Sequence, residues 1–352
     1  MKICVLGPVE TQSCFGGVAI FDKGLARALT LEGCEVFLAT DQKDAIDAYE
    51  SDIRTYVFGN KIKFSKIIAR ENPDYIITQL AYAKYLLGLK TKAKKIYFLH
   101  GFFNRNHYGT LKSMIASAYQ KLLIKNCDMV FSNSYFTEMI NNNFFGIKTD
   151  AVFHIGVTDR YMETIVKNSN VMKKNNTVFF AGRLESVKGV DKLIEATKYI
   201  KDSGVDIRVT IAGDGPERDE LKNMAEKYGL NINFLGRITQ DEIALHYLES
   251  EVFVSLNESE PYGIVFPEAL LANCKIVCPY TGGQIEYLNK HTESVCYINR
   301  KSARSIADGI IKMFEFGETP NLTKEERESY TYKNAAKGII EYVSEWRKNN
   351  GR

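Results

Sequence analysis

Two cations bracket a strand-to-helix turn in the segment FFAGRLESVKGVDKLIEA (179–196). Arg183 and Lys188 follow a strand that ends at Gly182, and Gly189 opens an amphipathic helix. The free amides and the positive dipole end of that helix point toward the same spot as the cations. This combination predicts a diphosphate-binding site. The alternative is that both are solvated surface charges, although they flank a turn rather than lie along a helix face.

Glycines also end the two strands that follow. Gly213 lies in IAGDGPERDEL (211–221), where Pro216 is expected at the first helical position, and Gly236 ends NINFLG (231–236). A tight turn that docks a helix would need the same residue types. Because parallel sheets bind ligands at the carboxyl ends of their strands, we expect the three strand ends to line one pocket.

Two glutamates, Glu260 and Glu268, lie eight residues apart in SLNESEPYGIVFPEALLANC (255–274). Pro261 and Gly263 predict a turn between them, and Glu268 falls about one turn into the next helix. Carboxylates in such places can accept hydrogen bonds from sugar hydroxyls. Two solvated glutamates would show the same spacing, so the pair alone leaves both interpretations open.

Short β-rich runs alternate with helical patterns, which predicts parallel sheets covered by helices on both faces. The runs are 2–7, 35–40, 75–80, 95–100, 129–134 and 151–156, then 177–182, 206–213, 231–236, 252–257 and 275–280. Helices are expected over 111–125, 189–201, 216–227, 239–249, 263–272 and 283–289. The first of these carries one apolar stripe, which we expect to pack into the core.

A polar segment, 158–176, interrupts the alternation and predicts an interdomain linker. The length of 352 residues agrees with about two domains of roughly 150 residues each. We therefore expect two doubly wound α/β domains, 1–157 and 177–330, facing each other across a ligand cleft. The last segment, 331–352, is predicted to form a helix. One arrangement is that this helix packs back on the N-terminal domain.

The composition, with 45% hydrophobic and 25% charged residues, is that of a globular protein. No apolar run reaches about 18 residues, and the start MKICVLGPVE is unlike a signal peptide, so we expect a cytosolic protein. Seven cysteines without a C-x-x-C pair disfavour a zinc site or a disulfide framework. We expect neither a bound metal nor a cofactor.

Positive charge is concentrated in residues 60–125, which hold eleven Lys and two Arg against only Glu71 and Asp74. Such an excess favours an anionic partner, either a membrane surface or an anionic acceptor. The alternative is that these lysines only keep the domain soluble, and both interpretations stay open. Nucleic acid is disfavoured because no recognition motif accompanies the charge.

The ordered motifs together resemble the retaining glycosyltransferases of family 4. They are CFGGV (14–18), LHG (99–101), SNS (132–134), GRLESVKG (182–189), AGDGP (212–216), FLGRI (234–238), the two glutamates and TGGQIE (281–286). The resemblance implies a GT-B fold, in which two Rossmann-like domains enclose the active-site cleft. One departure is Asn273, which stands where the family often has Gly.

The resemblance also implies roles for single residues. Arg183 and Lys188 would neutralise the diphosphate of a nucleotide sugar, Glu268 would bind its ribose, and Glu260 would hold the sugar. His100 would contact the sugar from the opposite domain, and with Arg183, Lys188 and Glu260 it makes up the implied catalytic set. The rest of the implied donor site is Gly16, Gly17, Gly182, Gly213, Arg237, Ile238, Tyr262, Gly263, Gly282 and Gly283.

The activity implied is metal-independent, retaining transfer of a sugar from a nucleoside diphosphate sugar, with UDP favoured. The acceptor would be a hydroxyl of a cell-envelope or polysaccharide glycan precursor, including a lipid-linked one, at the inner face of the membrane. Two alternatives are a sugar-nucleotide epimerase on the same fold and a non-catalytic partner subunit of a glycosyltransferase. An NAD-dependent dehydrogenase is disfavoured because residues 7–17 lack the G-x-G-x-x-G spacing.

Overall fold

Two parallel sheets form the framework of the protein in this computed structural model, which describes residues 1–9, 17–46, 53–103 and 109–350. The chain divides into two units. Unit 1 comprises Met1–Gly156 and Glu328–Arg352, and unit 2 comprises Val157–Arg327. The prediction of an α/β protein with two doubly wound sheets is confirmed.

Unit 1 contains a seven-stranded parallel sheet in the order β3-β2-β1-β4-β5-β6-β7. Its strands are β1 (Lys2–Leu6), β2 (Glu35–Thr40), β3 (Thr55–Val57), β4 (Tyr75–Gln79), β5 (Lys94–Leu99), β6 (Met129–Ser132) and β7 (Ala151–Val152). Its helices are α1 (Gly17–Leu31), α2 (Lys61–Glu71), α3 (Thr110–Ile124), α4 (Tyr135–Phe145) and the C-terminal α13 (Tyr332–Asn350). Helix α13 joins this unit because Tyr75 of β4 donates a hydrogen bond to the Val343 carbonyl at 3.1 Å.

Unit 2 contains a six-stranded parallel sheet in the order β10-β9-β8-β11-β12-β13. Its strands are β8 (Lys174–Ala181), β9 (Arg208–Ala212), β10 (Ile232–Gly236), β11 (Ser250–Val254), β12 (Lys275–Pro279) and β13 (Val295–Ile298). Its helices are α5 (Asp159–Lys167), α6 (Val190–Asp202), α7 (Arg218–Lys227), α8 (Gln240–Glu249), α9 (Val265–Leu271), α10 (Ile285–Leu288) and α11 (Ala303–Glu315), with α12 (Lys324–Ser329) at the boundary between the units.

The strands are continuous apolar runs because helices cover both faces of each sheet. In β12 every residue is buried, including Lys275, whose ammonium pairs with Glu251 at 3.0 Å and donates to the Met313 carbonyl. Local signals set the helix ends as well. Thr239 and Glu242 form a reciprocal capping box at the start of α8, and Asn273 ends α9 in the left-handed region with φ 57°.

Three features of the chain differ from the sequence-based picture. The segment 158–176, assigned to a linker, contains α5 and the first residues of β8. Pro216 lies two residues before α7 begins, so it belongs to the preceding turn and not to the first helical position. The strands β3 and β13 and the helices α1, α2, α4, α11 and α12 were not assigned ranges from the sequence.

The expectation that the apolar stripe of 111–125 packs into the core is wrong. The residues of α3 that face inward are Ser113, Ser117, Gln120 and Leu123. The exposed residues are Leu111, Met114, Ile115, Ala118 and Leu122, so the helix is rotated by about half a turn from the predicted orientation. Serine side chains are small, and they let α3 pack against the 3₁₀ segment Leu80–Leu86.

Across the described ranges, no helix combines the length and the apolar character needed to cross a bilayer.

Candidate functional site

The carboxyl ends of three adjacent strands in unit 2 meet through their glycines. The amide of Gly182, after β8, donates to the Ala212 carbonyl at 3.0 Å, and the amide of Gly213 donates to the Gly236 carbonyl at 2.8 Å. Gly213 has φ +135°, and a Cβ there would lie 1.8 Å from the Gly182 carbonyl oxygen. Only glycine fits this position. The three strand ends are therefore adjacent, and their lining of one pocket stays a prediction.

Lys188 lies in the turn between β8 and α6. A 3₁₀ turn, Ser186–Lys188, leads to Gly189 at φ +67°, and α6 begins at Val190. The ammonium of Lys188 lies 2.9 Å from Glu260 Oε2, although the two residues are 72 positions apart in the chain. A cation at the start of a thirteen-residue helix is therefore paired with a carboxylate that follows β11.

The Glu260 carboxylate is held by two donors. Besides Lys188, the Asn257 amide donates to Oε2 at 2.5 Å. Burial alone would raise the pKa of Glu260, but the charge and hydrogen bond of Lys188 and the Asn257 bond bring it below its usual value. Glu260 is thus ionised at neutral pH, and an ionised carboxylate is an acceptor suited to sugar hydroxyls.

Arg183 points elsewhere in this structure. Its guanidinium is exposed, and Nε lies 2.9 Å from Glu185 Oε1. The structure therefore brings Lys188 and Glu260 together, while Arg183 is engaged by its own turn. An exposed arginine can exchange such a partner for a phosphate at little cost, because surface ion pairs are worth about 0–1 kcal/mol.

Arg300 joins the Lys188 turn to the loop that holds Glu260. Its Nη2 donates to the Ser186 carbonyl at 2.8 Å, and Nη1 lies 3.6 Å from Glu258 Oε2. A Cβ on Gly189 would lie 3.0 Å from Arg300 Nε, so the glycine leaves room for the guanidinium. One side chain from the segment after β13 thus fixes the spacing of the two loops.

A cavity of about 360 Å³ lies beside Arg300, and neither Lys188 nor Glu260 lines it. Its walls carry charges of both signs, from Asp191, Lys192, Glu217, Glu220, Glu258, Arg300 and Lys301. The cavity is therefore not the predicted diphosphate site.

Glu268, the second predicted glutamate, lies in the first turn of α9 against two tyrosines. Tyr247 donates to Glu268 Oε2 at 3.2 Å, and Tyr161 donates to the Glu268 carbonyl at 2.7 Å. Burial raises the pKa of Glu268 to about 7, and the Tyr247 hydrogen bond acts against that rise. This carboxyl group therefore changes its charge near neutral pH.

The other predicted residues of unit 2 lie in the segments that follow β10, β11 and β12. Arg237 is exposed, Ile238 is partly buried, and Tyr262 is buried with its carbonyl accepting a bond from Tyr287 at 2.8 Å. The amide of Gly283 donates to the Glu260 carbonyl at 2.8 Å, so it holds the Glu260 loop rather than facing outward. Gly263 and Gly282 both have positive φ and lie against Glu260 atoms.

His100 is the predicted residue of unit 1. It follows β5, stacks on Phe98 and meets Phe21 edge-on with ring centroids 4.2 Å apart. Burial lowers the pKa of His100 to about 3, so the imidazole is neutral, and its Nε2 has no hydrogen-bond partner among the described residues. Gly17 begins α1, whereas Gly16 lies outside the described residues.

Sequence reasoning missed three residues of this site: Asn257, Tyr247 and Arg300. Asn257 lies three residues before Glu260 and could have been found from its place at the end of β11. Tyr247 and Arg300 reach the site from distant elements, and nothing in their local sequence marks them.

In the ranges that the structure describes, no group of three or more His, Cys, Asp or Glu side chains is arranged to hold a metal ion. Among the predicted site residues of unit 2, Lys188 and Glu260 form an ion pair.

Two family models match the chain, one in each half. Residues 162–335 match the glycosyl transferases group 1 model, and residues 15–156 match the glycosyltransferase family 4 model. The two matches follow the two units closely. The chain belongs to the family 4 glycosyltransferases and has the GT-B fold.

The chain is similar in sequence to curated glycosyltransferases and similar in fold to solved structures. The chain is 30% identical to an uncharacterized glycosyltransferase of Methanocaldococcus jannaschii over 49% of this chain and 46% of that protein. It is 21% identical to an alpha-monoglucosyldiacylglycerol synthase of Streptococcus pneumoniae, over 94% of this chain and 82% of that protein. The Anabaena protein HepE, solved in complex with UDP, has a TM-score of 0.75 at 18% identity, covering 98% of this chain and 100% of HepE.

The matches to the first three curated relatives span less than half of each relative's own length.

Proposed function

We propose that the protein is a retaining, metal-independent glycosyltransferase that moves a hexosyl group from a UDP-sugar to a hydroxyl of a cell-envelope or polysaccharide glycan precursor. The observation that carries the proposal is the Lys188–Glu260 pair at 2.9 Å, located at the carboxyl ends of β8 and β11. The pair places a cation that can bind the donor diphosphate beside a carboxylate that can accept hydrogen bonds from the sugar hydroxyls.

In this proposal the cations act on the leaving group. Negative charge develops on the diphosphate as the bond to the sugar breaks, and Lys188 and Arg183 stabilise it together with the amino end of α6. Such fixed positive charge can replace a divalent ion, which is the basis for proposing metal independence. The ammonium of Lys188 has three protons, so it can hold Glu260 and a phosphate oxygen together.

The remaining groups position the donor. Glu260, ionised and fixed by Asn257, accepts hydrogen bonds from hydroxyls of the sugar, and Glu268 accepts them from the ribose. His100, whose imidazole is neutral, would contact the sugar through Nε2, as the family resemblance implies. The backbone at Gly182, Gly213, Arg237, Ile238, Tyr262, Gly263, Gly282 and Gly283 would shape the rest of the donor site, and Gly16 and Gly17 would approach the reacting centre.

The choice of donor and acceptor rests on the relatives and on charge. UDP is favoured because HepE was solved with it. A lipid-linked acceptor fits the alpha-monoglucosyldiacylglycerol synthase named above. The basic stretch 60–125 is the basis for proposing that the protein acts at the anionic cytoplasmic face of the membrane, because such a surface attracts Lys and Arg side chains.

The test is a thermal-shift screen against UDP-, GDP-, ADP- and dTDP-sugars, with Lys188→Met beside Lys198→Met as the matched control. Lys198 is also a lysine of this region, but it pairs with Asp202 on the outer surface of α6. A ligand at 100 times its Kd adds about 2.7 kcal/mol of stability. We expect a shift with UDP-sugars that Lys188→Met abolishes and Lys198→Met retains. Equal shifts in the two variants would refute the assignment of Lys188.

A further inference from the structure

Helix α3 of unit 1 presents an apolar face to the outside. Leu111, Ile115 and Leu122 are 71%, 62% and 54% exposed, and Met114 and Tyr119 are exposed on the same helix. We call these five residues the outward face of α3. Isolated exposed apolar residues are ordinary, but five along one helix form a contiguous patch of the kind that marks an interaction site.

On the inner side of α3, one polar contact ties the helix to β5 and another lies within the helix itself. Gln120 donates to the Tyr97 hydroxyl at 3.2 Å, and Ser117 donates to the Ser113 carbonyl at 2.7 Å. Leu123 is the apolar residue that the helix buries fully. Polar side chains therefore face the protein while large apolar ones face outward, the reverse of the usual arrangement in a surface helix.

The charge around this face is positive. Lys112, Lys121 and Lys125 are exposed on the same helix and at its end, and residues 110–125 contain no Asp or Glu. A second copy of the chain on this face would bring lysines against lysines. An anionic surface would instead attract them. Long lysine side chains can keep their ammonium groups among lipid phosphates while their methylene chains contact the acyl-chain region of the bilayer.

We propose that the outward face of α3 docks the protein on an anionic bilayer. The five apolar side chains enter the boundary between headgroups and acyl chains, and Lys112, Lys121 and Lys125 contact lipid phosphates. The proposal rests on the membrane-side function above but goes beyond it, because it assigns binding to apolar insertion by one helix rather than to the charge of residues 60–125 as a whole.

The experiment measures co-sedimentation of the full chain with vesicles of phosphatidylglycerol and phosphatidylcholine in equal parts, and with phosphatidylcholine alone. The test variant is Leu111→Gln/Ile115→Gln/Leu122→Gln. The matched control is Leu31→Gln/Val166→Gln/Tyr199→Gln, whose residues are similarly exposed at 62%, 66% and 52% but lie on three different helices. Circular dichroism and thermal melting verify that both variants fold.

We expect wild type and the control to bind the anionic vesicles and the α3 variant to bind at least about tenfold more weakly. We also expect Lys112→Gln/Lys125→Gln to weaken binding and to reduce its dependence on salt. Equal binding by the α3 variant and the control overturns the proposal, as does failure of the wild type to bind. Dimerisation of the wild type that the α3 variant loses would assign the face to a second copy instead.

Donor binding separates this proposal from the proposed function. The α3 variant should keep the UDP-sugar thermal shift of the wild type, because the donor residues are in other elements. A protein that binds vesicles through α3 but never binds a sugar nucleotide would retain the docking face and contradict the transferase assignment.

Discussion

The Lys188–Glu260 ion pair couples two residues to which the proposal assigns different parts of the donor. Lys188 belongs to the diphosphate and Glu260 to the sugar, yet they share one contact at 2.9 Å. Binding of one part of the donor is therefore expected to affect the placement of the other. Because the two residues have different proposed roles, their variants should still differ in whether diphosphate binding or sugar transfer is lost.

Glu260→Gln should lower kcat/KM for the UDP-sugar by roughly 10²-fold while changing the affinity for UDP itself only slightly. The amide keeps the shape of the side chain but removes the negative charge that accepts sugar hydroxyls. Titration calorimetry with UDP and a turnover assay measure the two quantities. Glu293→Gln, at an exposed glutamate, is the control. Loss of UDP affinity equal to the loss of kcat/KM would assign Glu260 to the diphosphate.

Glu268 predicts a pH dependence of donor binding. Its pKa is raised to about 7, so the carboxylate predominates above that pH and the neutral acid below it. Because the carboxylate is the stronger acceptor for ribose hydroxyls, UDP affinity should fall by about tenfold as the pH drops from 8 to 6, which is the fall in the ionised fraction of a group with a pKa of about 7. Glu268→Gln should flatten the profile. A wild-type profile as flat as that of the variant would exclude ribose binding by this carboxylate.

Gly213→Ala should destabilise unit 2 because the new Cβ would collide with the Gly182 carbonyl and φ is +135°. The expected loss is about 2 kcal/mol or more of unfolding free energy. Gly204→Ala is the control: it also has positive φ, +88°, but nothing lies within 4 Å of the added Cβ. Denaturant unfolding compares the two. Equal losses would mean that backbone strain, and not the close approach of the strand ends, requires glycine.

At the scale of elements, the site depends on two loops whose spacing Arg300 sets. Arg300→Leu removes both the bond to the Ser186 carbonyl and the contact with Glu258. We expect a drop in kcat of about tenfold with a smaller change in KM, because Lys188 keeps its charge but loses its position. Arg300→Lys should recover part of the loss. The control is Arg304→Leu, an exposed arginine of α11 paired only with its own helix through Asp308.

Much of the framework follows from the sequence. Alternation of apolar strands with amphipathic helices predicts both parallel sheets, and the strand-end glycines 182, 213 and 236 predict where the ends converge. The strands β3 and β13 were missed because they have only three and four residues, and both are partly exposed. Short strands at sheet edges leave little periodic signal.

Helix α3 shows what periodicity cannot determine. The stripe of Leu111, Met114, Ile115 and Leu122 was found correctly, but its burial was not. A helical period identifies which residues share a face, whereas the partners decide which face turns inward. Here Gln120 finds its partner in Tyr97 of β5, outside the helix, whereas Ser117 bonds within α3 itself.

The candidate site divides in the same way. Lys188, Glu260 and Glu268 are visible in the sequence because each follows a strand at a motif spacing. Their pairing and their unequal pKa values depend on Asn257, Tyr247 and Arg300. The last two of these come from α8 and from the segment after β13, and their contribution requires the three-dimensional structure.

At the scale of the whole molecule, the two units have different tasks in this account. Unit 2 carries the groups proposed to bind the nucleotide and the sugar. Unit 1 carries His100 and the outward face of α3, and it holds the positive stretch 60–125. Each unit carries its own family match, glycosyltransferase family 4 for unit 1 and glycosyl transferases group 1 for unit 2.

Direct observation of the reaction tests the central claim most sharply. The measurement is transfer from a ¹³C-labelled UDP-sugar to an envelope-lipid extract in excess EDTA, with the anomeric configuration of the product read by NMR. The account predicts transfer with the configuration of the donor retained, undiminished by the chelator, and reduced about 10²–10³-fold by Lys188→Met. Inverted product, complete loss of transfer on chelation, or full activity of Lys188→Met would contradict it.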